Sequence, residues 1–334
     1  MRREGGTVGP DNFREKTMID RRDLCAALAA TAVAGPALAL AGPTRRDRCF
    51  AFTYFANADN GGAGMRLAIS DDGFTYRPVR GGAPVVKPMV GENRLMRDPC
   101  VALDPRTGLY HMVWTTSWTG TTIGHASSRD LMTWSAQQAV PVMAAFPGTR
   151  NTWAPDLLYD AARRLFTIVW ASTLDDPAGK AKGKEGDHRL YAVDTADFRR
   201  FSPTRLFYDP GFSVIDATFL NRGGRTIMLV KDERKEPLRK VIQWCEVSPA
   251  TGRFGPLSPP ITPAWTEGPT AIEVDGETVV FFDRYIDKRY GAIASRDLMT
   301  WRDVSDRIAI PAGANHGTII PIDRARHAAL AALG

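Results

Sequence analysis

Ser127-Ser128-Arg129-Asp130-Leu131-Met132-Thr133-Trp134 is answered far along the chain by Ala294-Ser295-Arg296-Asp297-Leu298-Met299-Thr300-Trp301. Two eight-residue phrases so nearly identical mark an internal repeat. Weaker copies stand at Ser70-Asp71-Asp72-Gly73-Phe74-Thr75-Tyr76 and Thr195-Ala196-Asp197-Phe198-Arg199-Arg200-Phe201, and a degenerate one at Thr251-Gly252-Arg253-Phe254. Their aromatic ends, Tyr76, Trp134, Phe201, Phe254 and Trp301, fall 47 to 67 residues apart. That is the period of a four-stranded propeller blade with room for loops. The Asp and Gly of each phrase suit a turn between a blade's outer strands, and the closing aromatic is expected to pack between neighbouring blades. The fold class read from this repeat is all-β, a five-bladed β-propeller.

Working outward, the chain between phrases consists of short runs rich in Val, Ile, Thr, Tyr, Phe and Trp, divided by Gly, Pro and Asp clusters, which is strand patterning. Helical periodicity is clear only near the N-terminus and over Asp323 to Leu333. After each phrase comes a short strand carrying one polar group: Asp98, Asp156, Asp216, Glu267 and His316. The innermost strands of a propeller converge on its central channel, so these five side chains are expected in one basin. His316 begins an inner strand with no outer strands after it, and Cys49 to Tyr76 can supply them. The last blade is therefore expected to be closed by N- and C-terminal strands, leaving no open sheet edge.

At the N-terminus, Arg21-Arg22 precedes an apolar, Ala-rich stretch from Leu24 to Leu40 and the cleavage-like Ala39-Leu40-Ala41. Residues 1–41 read as an N-terminal extension and export signal, through either the twin-arginine or the Sec route, with Met1 or Met18 as the start. The stretch is broken at Gly35-Pro36 and short for a span. The expectation is a periplasmic or secreted product cleaved near Ala41, without stable membrane insertion, whose residues 42–334 form the propeller and act as a monomer. The net charge is +6, but Lys and Arg are scattered among Asp and Glu rather than gathered in a stripe, so no nucleic-acid partner is expected. Cys25 lies in the signal; Cys49, Cys100 and Cys245 have no metal-like spacing. No phosphate loop, dinucleotide fingerprint or zinc cluster is present in the sequence.

The ordered set Arg97-Asp98-Pro99, Trp153-Ala154-Pro155-Asp156, Ile215-Asp216, Glu267-Gly268-Pro269 and His316, one element per blade, resembles glycoside hydrolase family 43 over most of residues 49–322. The resemblance implies a carbohydrate substrate and three carboxylates. Asp98 would be the general base, Glu267 the general acid, and Asp216 the residue that orients the acid and tunes its pKa. Breaking a glycosidic bond requires proton donation to the leaving oxygen and an activated water on the opposite face, a division of labour two carboxylates can share. The family implies inversion at the anomeric carbon, hence a base-to-acid separation of roughly 6.5–9.5 Å. It also implies that His316 lines the channel, and it leaves room for a structural Ca2+ near the propeller axis while requiring no catalytic metal.

Trp153, Asp156, Arg284 and His316 are the expected substrate-binding residues. Lys231 could reach the pocket or form a surface salt bridge, and Asn151, Trp118 and Trp170 are weaker candidates. The function expected is an exo-acting α-L-arabinofuranosidase-like hydrolase. A β-xylosidase or β-D-galactofuranosidase is the alternative within the enzyme class, and a non-catalytic glycan-binding propeller the alternative outside it. The loops at Thr115 to Thr122 and Asp175 to Asp187 are expected to set exo against endo action.

Overall fold

The computed structural model describes residues 48–175, 186–249 and 251–334. The export-signal region at 1–41 and most of the Asp175 to Asp187 loop lie outside them. Among the described residues, no helix is long and apolar enough to cross a membrane.

Five antiparallel four-stranded sheets account for nearly all regular structure. The first three strands, β1 (Cys49–Ala56), β2 (Arg66–Ser70) and β3 (Arg77–Pro78), share a sheet with the last, β20 (Ala314–Ile322), in the order β20-β1-β2-β3. The other four sheets are each built from consecutive strands. The second blade holds β4 (Arg97–Leu103), β5 (Tyr110–Thr115), β6 (Ile123–Ser128) and β7 (Gln138–Val140). The third holds β8 (Trp153–Asp160), β9 (Leu165–Ser172), β10 (Arg189–Thr195) and β11 (Arg205–Tyr208). The fourth holds β12 (Val214–Arg222), β13 (Arg225–Asp232), β14 (Val241–Ser248) and β15 (Arg253–Phe254). The fifth holds β16 (Glu267–Val274), β17 (Glu277–Arg284), β18 (Arg289–Ser295) and β19 (Arg302–Asp303). This is the five-bladed propeller expected, and its first blade closes as expected: β1 pairs with β20 from Cys49↔Ile322 to Ala56↔Ala314.

The second strand of each blade explains the near-continuous apolar runs in the sequence. Strand β17, ETVVFFDR, is buried at every position but the last. A neighbouring blade covers each face, so strict apolar/polar alternation disappears, as in any sheet buried on both sides. Five hydrophobic clusters fill the five gaps between blades. Tyr76 belongs to the cluster joining the fifth blade to the first, and Trp134, Phe201, Phe254 and Trp301 each pack against one of the other four. The repeated phrase is thus an outer turn between third and fourth strands whose aromatic wedges adjacent blades.

Its polar residues close the turn. Ser128 Oγ accepts from the amides of Asp130 and Leu131, while Asp130 Oδ1 accepts from Met132 and Thr133 at 2.9 and 2.6 Å. The same pattern links Ser70 with Asp72, Thr195 with Asp197 and Ser295 with Asp297. The residue after each Asp, namely Gly73, Leu131, Phe198 or Leu298, takes a left-handed φ between 54° and 78°. Helix α1 (Arg324–Ala331) follows, capped by Asp323, and buries Leu330 between the first and second blades.

Candidate active site

Each inner strand begins with the same irregularity. Register slips between Arg97 and Cys100 in β4, Trp153 and Asp156 in β8, Ile215 and Thr218 in β12, and Glu267 and Thr270 in β16. In the β1–β20 pair, Phe55 and Tyr54 face Asn315 and Gly317, so His316 is the bulged residue. A bulge bends the strand and re-aims a side chain, here at the channel. Asp98, Ala154, Asp216 and Gly268 occupy equivalent positions with φ of 51°, 45°, 54° and 55°. Three of these are non-glycine residues in the left-handed region, a cost the surrounding sheet must hold. At Gly268 the alternative is closed by contact, because a Cβ would lie 2.5 Å from His316 Cγ.

Asp98 is half-buried, and both of its carboxylate oxygens have partners. Its Oδ2 accepts from Thr115 Oγ1 at 2.8 Å, and its Oδ1 lies 3.3 Å from His316 Nδ1. The Thr115 hydroxyl in turn accepts from the Ala154 amide at 2.8 Å, which fixes the direction of its proton toward Asp98. Burial works against the charged form of Asp98. The hydrogen bond and charge of His316, the Arg97 charge and the Thr115 hydroxyl outweigh it and hold the carboxyl below the usual range. His316 shows the reciprocal effect. Burial opposes its charge, but the Asp98 hydrogen bond and the charges of Asp216, Asp98 and Glu267 raise it to about 9. At neutral pH the pair is a carboxylate held by an imidazolium.

Asp216 Oδ2 accepts from the Gly268 amide at 3.0 Å, tying it to the residue next to Glu267. Burial, aided by the charges of Glu267 and Asp98 against those of His316 and Lys231, raises Asp216 to about 6. Lys231, only 2% exposed at its side chain, places Nζ 2.8 Å from Glu267 Oε2 and 2.8 Å from Glu233 Oε2. Lys240 pairs with the other oxygen of Glu233. A chain of alternating charges therefore runs from the β13–β14 connection to Glu267. Beside it, Asn315 Nδ2 donates to Asp283 Oδ2 at 2.7 Å, and burial raises Asp283 to about 6.

Two carboxylate centres, on the second and fifth blades, thus face a common channel with His316 of the intervening first blade between them. The family model described as a probable glycosyl hydrolase domain, related to family 43, matches residues 47–328. The chain belongs to this family. It is a glycosyl hydrolase. Comparison with curated proteins gives no match. Among solved structures, an endo-arabinase from Bacteroides thetaiotaomicron VPI-5482 has a TM-score of 0.52 at 16% identity, over 71% of this chain and 98% of that one. An exo-β-1,3-galactanase from Clostridium thermocellum has a TM-score of 0.50 at 15% identity, over 62% of this chain and 47% of that one. An α-L-arabinofuranosidase from Lactobacillus brevis gives 0.49 at 15% identity, over 63% and 72% of the two chains. The first two likenesses speak to the propeller fold alone, and the activities in the three names differ.

Within this family 43-related propeller, not every expected site residue lies where the sequence suggested. Asp156 does not share the level of Asp98. The equivalent of Asp98 in β8 is Ala154, and Asp156 aligns instead with Cys100, Thr218, Thr270 and Thr318, two residues along each strand. It is buried, bonded to Thr218 and Cys100, and raised by burial to about 6. The five polar residues therefore occupy different depths. Counting one polar residue per blade could not reveal this, because the bulges offset each strand's alternation.

Arg284 pairs with Asp287 in its own hairpin at 2.7 Å. The buried residue beside it, Asp283, is the one that reaches Asn315. Trp153 donates Nε1–H to the Trp118 carbonyl at 2.9 Å, and the Arg97 guanidinium lies 4.2 Å from the Trp118 ring centre. Trp118 is exposed; Trp170 is core, and Asn151 bonds the backbone at Ala171 and Thr173. Sequence reasoning missed Thr115, Glu233, Asp283 and Asn315. Asp283 and Asn315 stand next to Arg284 and His316, the residues chosen. Nothing in the sequence marks Thr115 or Glu233.

Calcium takes six to eight oxygen ligands, and of the acidic groups toward the axis Asp98 is already engaged by Thr115 Oγ1 and His316 Nδ1. The one grouping of three His, Cys, Asp or Glu donors among the described residues is Cys49, Asp71 and His327, beside α1 at the end of the first blade opposite His316.

Proposed function

We propose that the enzyme is an inverting, exo-acting hydrolase that releases a terminal furanose, an α-L-arabinofuranose, from a polysaccharide or oligosaccharide. Asp98 is assigned as general base, Glu267 as general acid, and Asp216 as the residue that positions Glu267. The observation that carries this reading is the unequal treatment of the acidic groups. Asp98 is held ionised by an imidazolium and a hydroxyl, whereas Asp216, bonded to the amide beside Glu267, keeps a proton up to about pH 6. These surroundings separate Asp98 from Asp216; Glu267 takes the acid's role from the family resemblance and from the bond of Asp216 to the amide beside it.

In the reaction, Asp98 takes a proton from a water as that water's oxygen bonds to the anomeric carbon. The bond from that carbon to the leaving oxygen breaks, and the leaving oxygen receives the Glu267 proton. Asp98 ends protonated and Glu267 ionised, and exchange with solvent resets both. Lys231 holds Glu267 in place. Export through the signal-like residues 21–41 would set this chemistry outside the cytoplasm, on the enzyme's polymeric substrates.

The test is a panel of arabinofuranosides, galactofuranosides and xylosides, with NMR of the first-formed anomer. Turnover of the arabinofuranoside with inversion is expected. Asp98→Ala and Glu267→Ala should each lose about 10²–10⁴-fold in kcat, the usual contribution of a general acid or base. Retention of configuration, or normal turnover in either folded variant, removes the assignment. Preference for a xyloside or galactofuranoside replaces the sugar and keeps the mechanism.

A further inference from the structure

Exposed aromatic rings flank both carboxylate centres, and they are not equivalent. On the Asp98 side, Trp118 is already engaged: its ring receives the Arg97 guanidinium, and its Nε1–H donates to Asn60 Oδ1 at 3.2 Å. On the Glu267 side, Trp265 stands two residues before the carboxylate, held at a left-handed φ of 67° and 42% exposed. Tyr285, just after β17, meets it edge-on, with ring centres 6.1 Å apart at 77°. The other contact of Tyr285 is the Lys231 ammonium, 4.9 Å from its ring centre, and that ammonium is the one bound to Glu267. The two rings are thus tied through a buried lysine to the proposed proton donor.

Among the described residues, no acceptor meets the Trp265 indole N–H. An exposed indole with an unused donor, held in a strained backbone beside a half-buried carboxylate that a buried lysine anchors, is the combination that recognises a sugar ring. The flat apolar face of the ring covers the indole, and a hydroxyl takes the N–H. Direction follows from the chemistry. The general acid protonates the leaving oxygen, so whatever lies on the acid's side of the scissile bond is the leaving group.

We infer that Trp265 and Tyr285 form the leaving-group subsite, which takes a second sugar ring, so that the enzyme selects sugar-to-sugar linkages over simple alkyl glycosides. The inference rests on Glu267 being the acid.

The experiment uses the full chain and the sugar chosen by the panel, presented as a disaccharide and as its methyl glycoside. The readout is the ratio of the two kcat/KM values. Trp265→Ala should lower that ratio at least tenfold and Tyr285→Ala at least threefold, with circular dichroism confirming the fold. Trp265→Phe, which keeps a ring and loses the donor, should fall between wild type and Trp265→Ala, and it carries the test if the alanine variant does not fold. An unchanged ratio in the folded Trp265 variants overturns the subsite, even with Glu267→Gln inactive. Full activity of Glu267→Gln on both substrates, or no turnover by the wild type, overturns instead the reading on which the subsite rests.

Discussion

The five outer turns and the five inner bulges are both copies of one backbone device, yet they treat their side chains in opposite ways. In the outer turns, four blades repeat Ser or Thr, then Asp two residues later, because those oxygens themselves satisfy the amides of the turn. In the inner bulges, a group from the adjoining blade meets the amide, Thr115 Oγ1 at Ala154 and Asp216 Oδ2 at Gly268, and the bulged position holds Asp98, Ala154, Asp216, Gly268 or His316. Where the side chain makes the bend it is fixed. Where the sheet makes the bend the side chain is free to carry chemistry, and five equivalent positions hold four different residue types.

The contrast is sharpened most by Lys231→Met. That variant leaves Glu233 and Glu267 facing each other without the buried ammonium, and breaking one side of a buried ion pair costs about 3–5 kcal/mol. Denaturant unfolding should show that loss, and kcat/KM should drop at least tenfold as Glu267 loses its anchor. A variant of wild-type activity would mean that the charge chain is structural alone.

The second prediction concerns pH. His316 is raised to about 9 in the folded protein, above the ordinary histidine value of about 6.5. Its contribution to stability is therefore fully present below about pH 6.5 and is lost as pH rises through 9. Asp156, Asp216 and Asp283, each raised to about 6, have largely completed their titration by pH 7. The wild-type Tm should accordingly fall between pH 7 and 9.5, and His316→Gln, less stable at pH 7, should flatten that slope. An equally steep slope in the variant would remove the imidazolium from the site. The smallest effect belongs to the outer set. Asp130→Ala loses the acceptor of two turn amides, about 1 kcal/mol net, lowering Tm by roughly 2–4 °C while leaving kcat/KM within twofold. A large loss of activity there would break the division between the two sets.

The same division explains what could be read in advance. The outer turns spell their geometry in residue identity, so blade number, blade boundaries and closure of the first blade by β1 and β20 were legible. The placement of Asp98, Asp216, Glu267 and His316 near the starts of inner strands was legible from the strand that follows each phrase. Asp156 was misplaced in depth because a bulge leaves no mark in composition, and it changes which residues share a level. Arg284 was preferred to Asp283 because a charge beside an apolar run looks available, and only the fold shows which of two adjacent side chains turns inward. Thr115 and Glu233 act through partners on other strands, which no local pattern encodes.

The pairing of β1 with β20 also constrains how the molecule is made. Thr53 Oγ1 donates to the Thr318 carbonyl across a separation of 265 residues, so the ring cannot close without the last strand. Contacts so distant in sequence are slow to assemble, since the chain entropy of the loop is lost before the pairing rewards it. His316 arrives on that last strand. An incompletely folded chain, even with four blades in place, therefore lacks the imidazolium that sets Asp98, and catalytic competence should appear in a refolding time course only at ring closure.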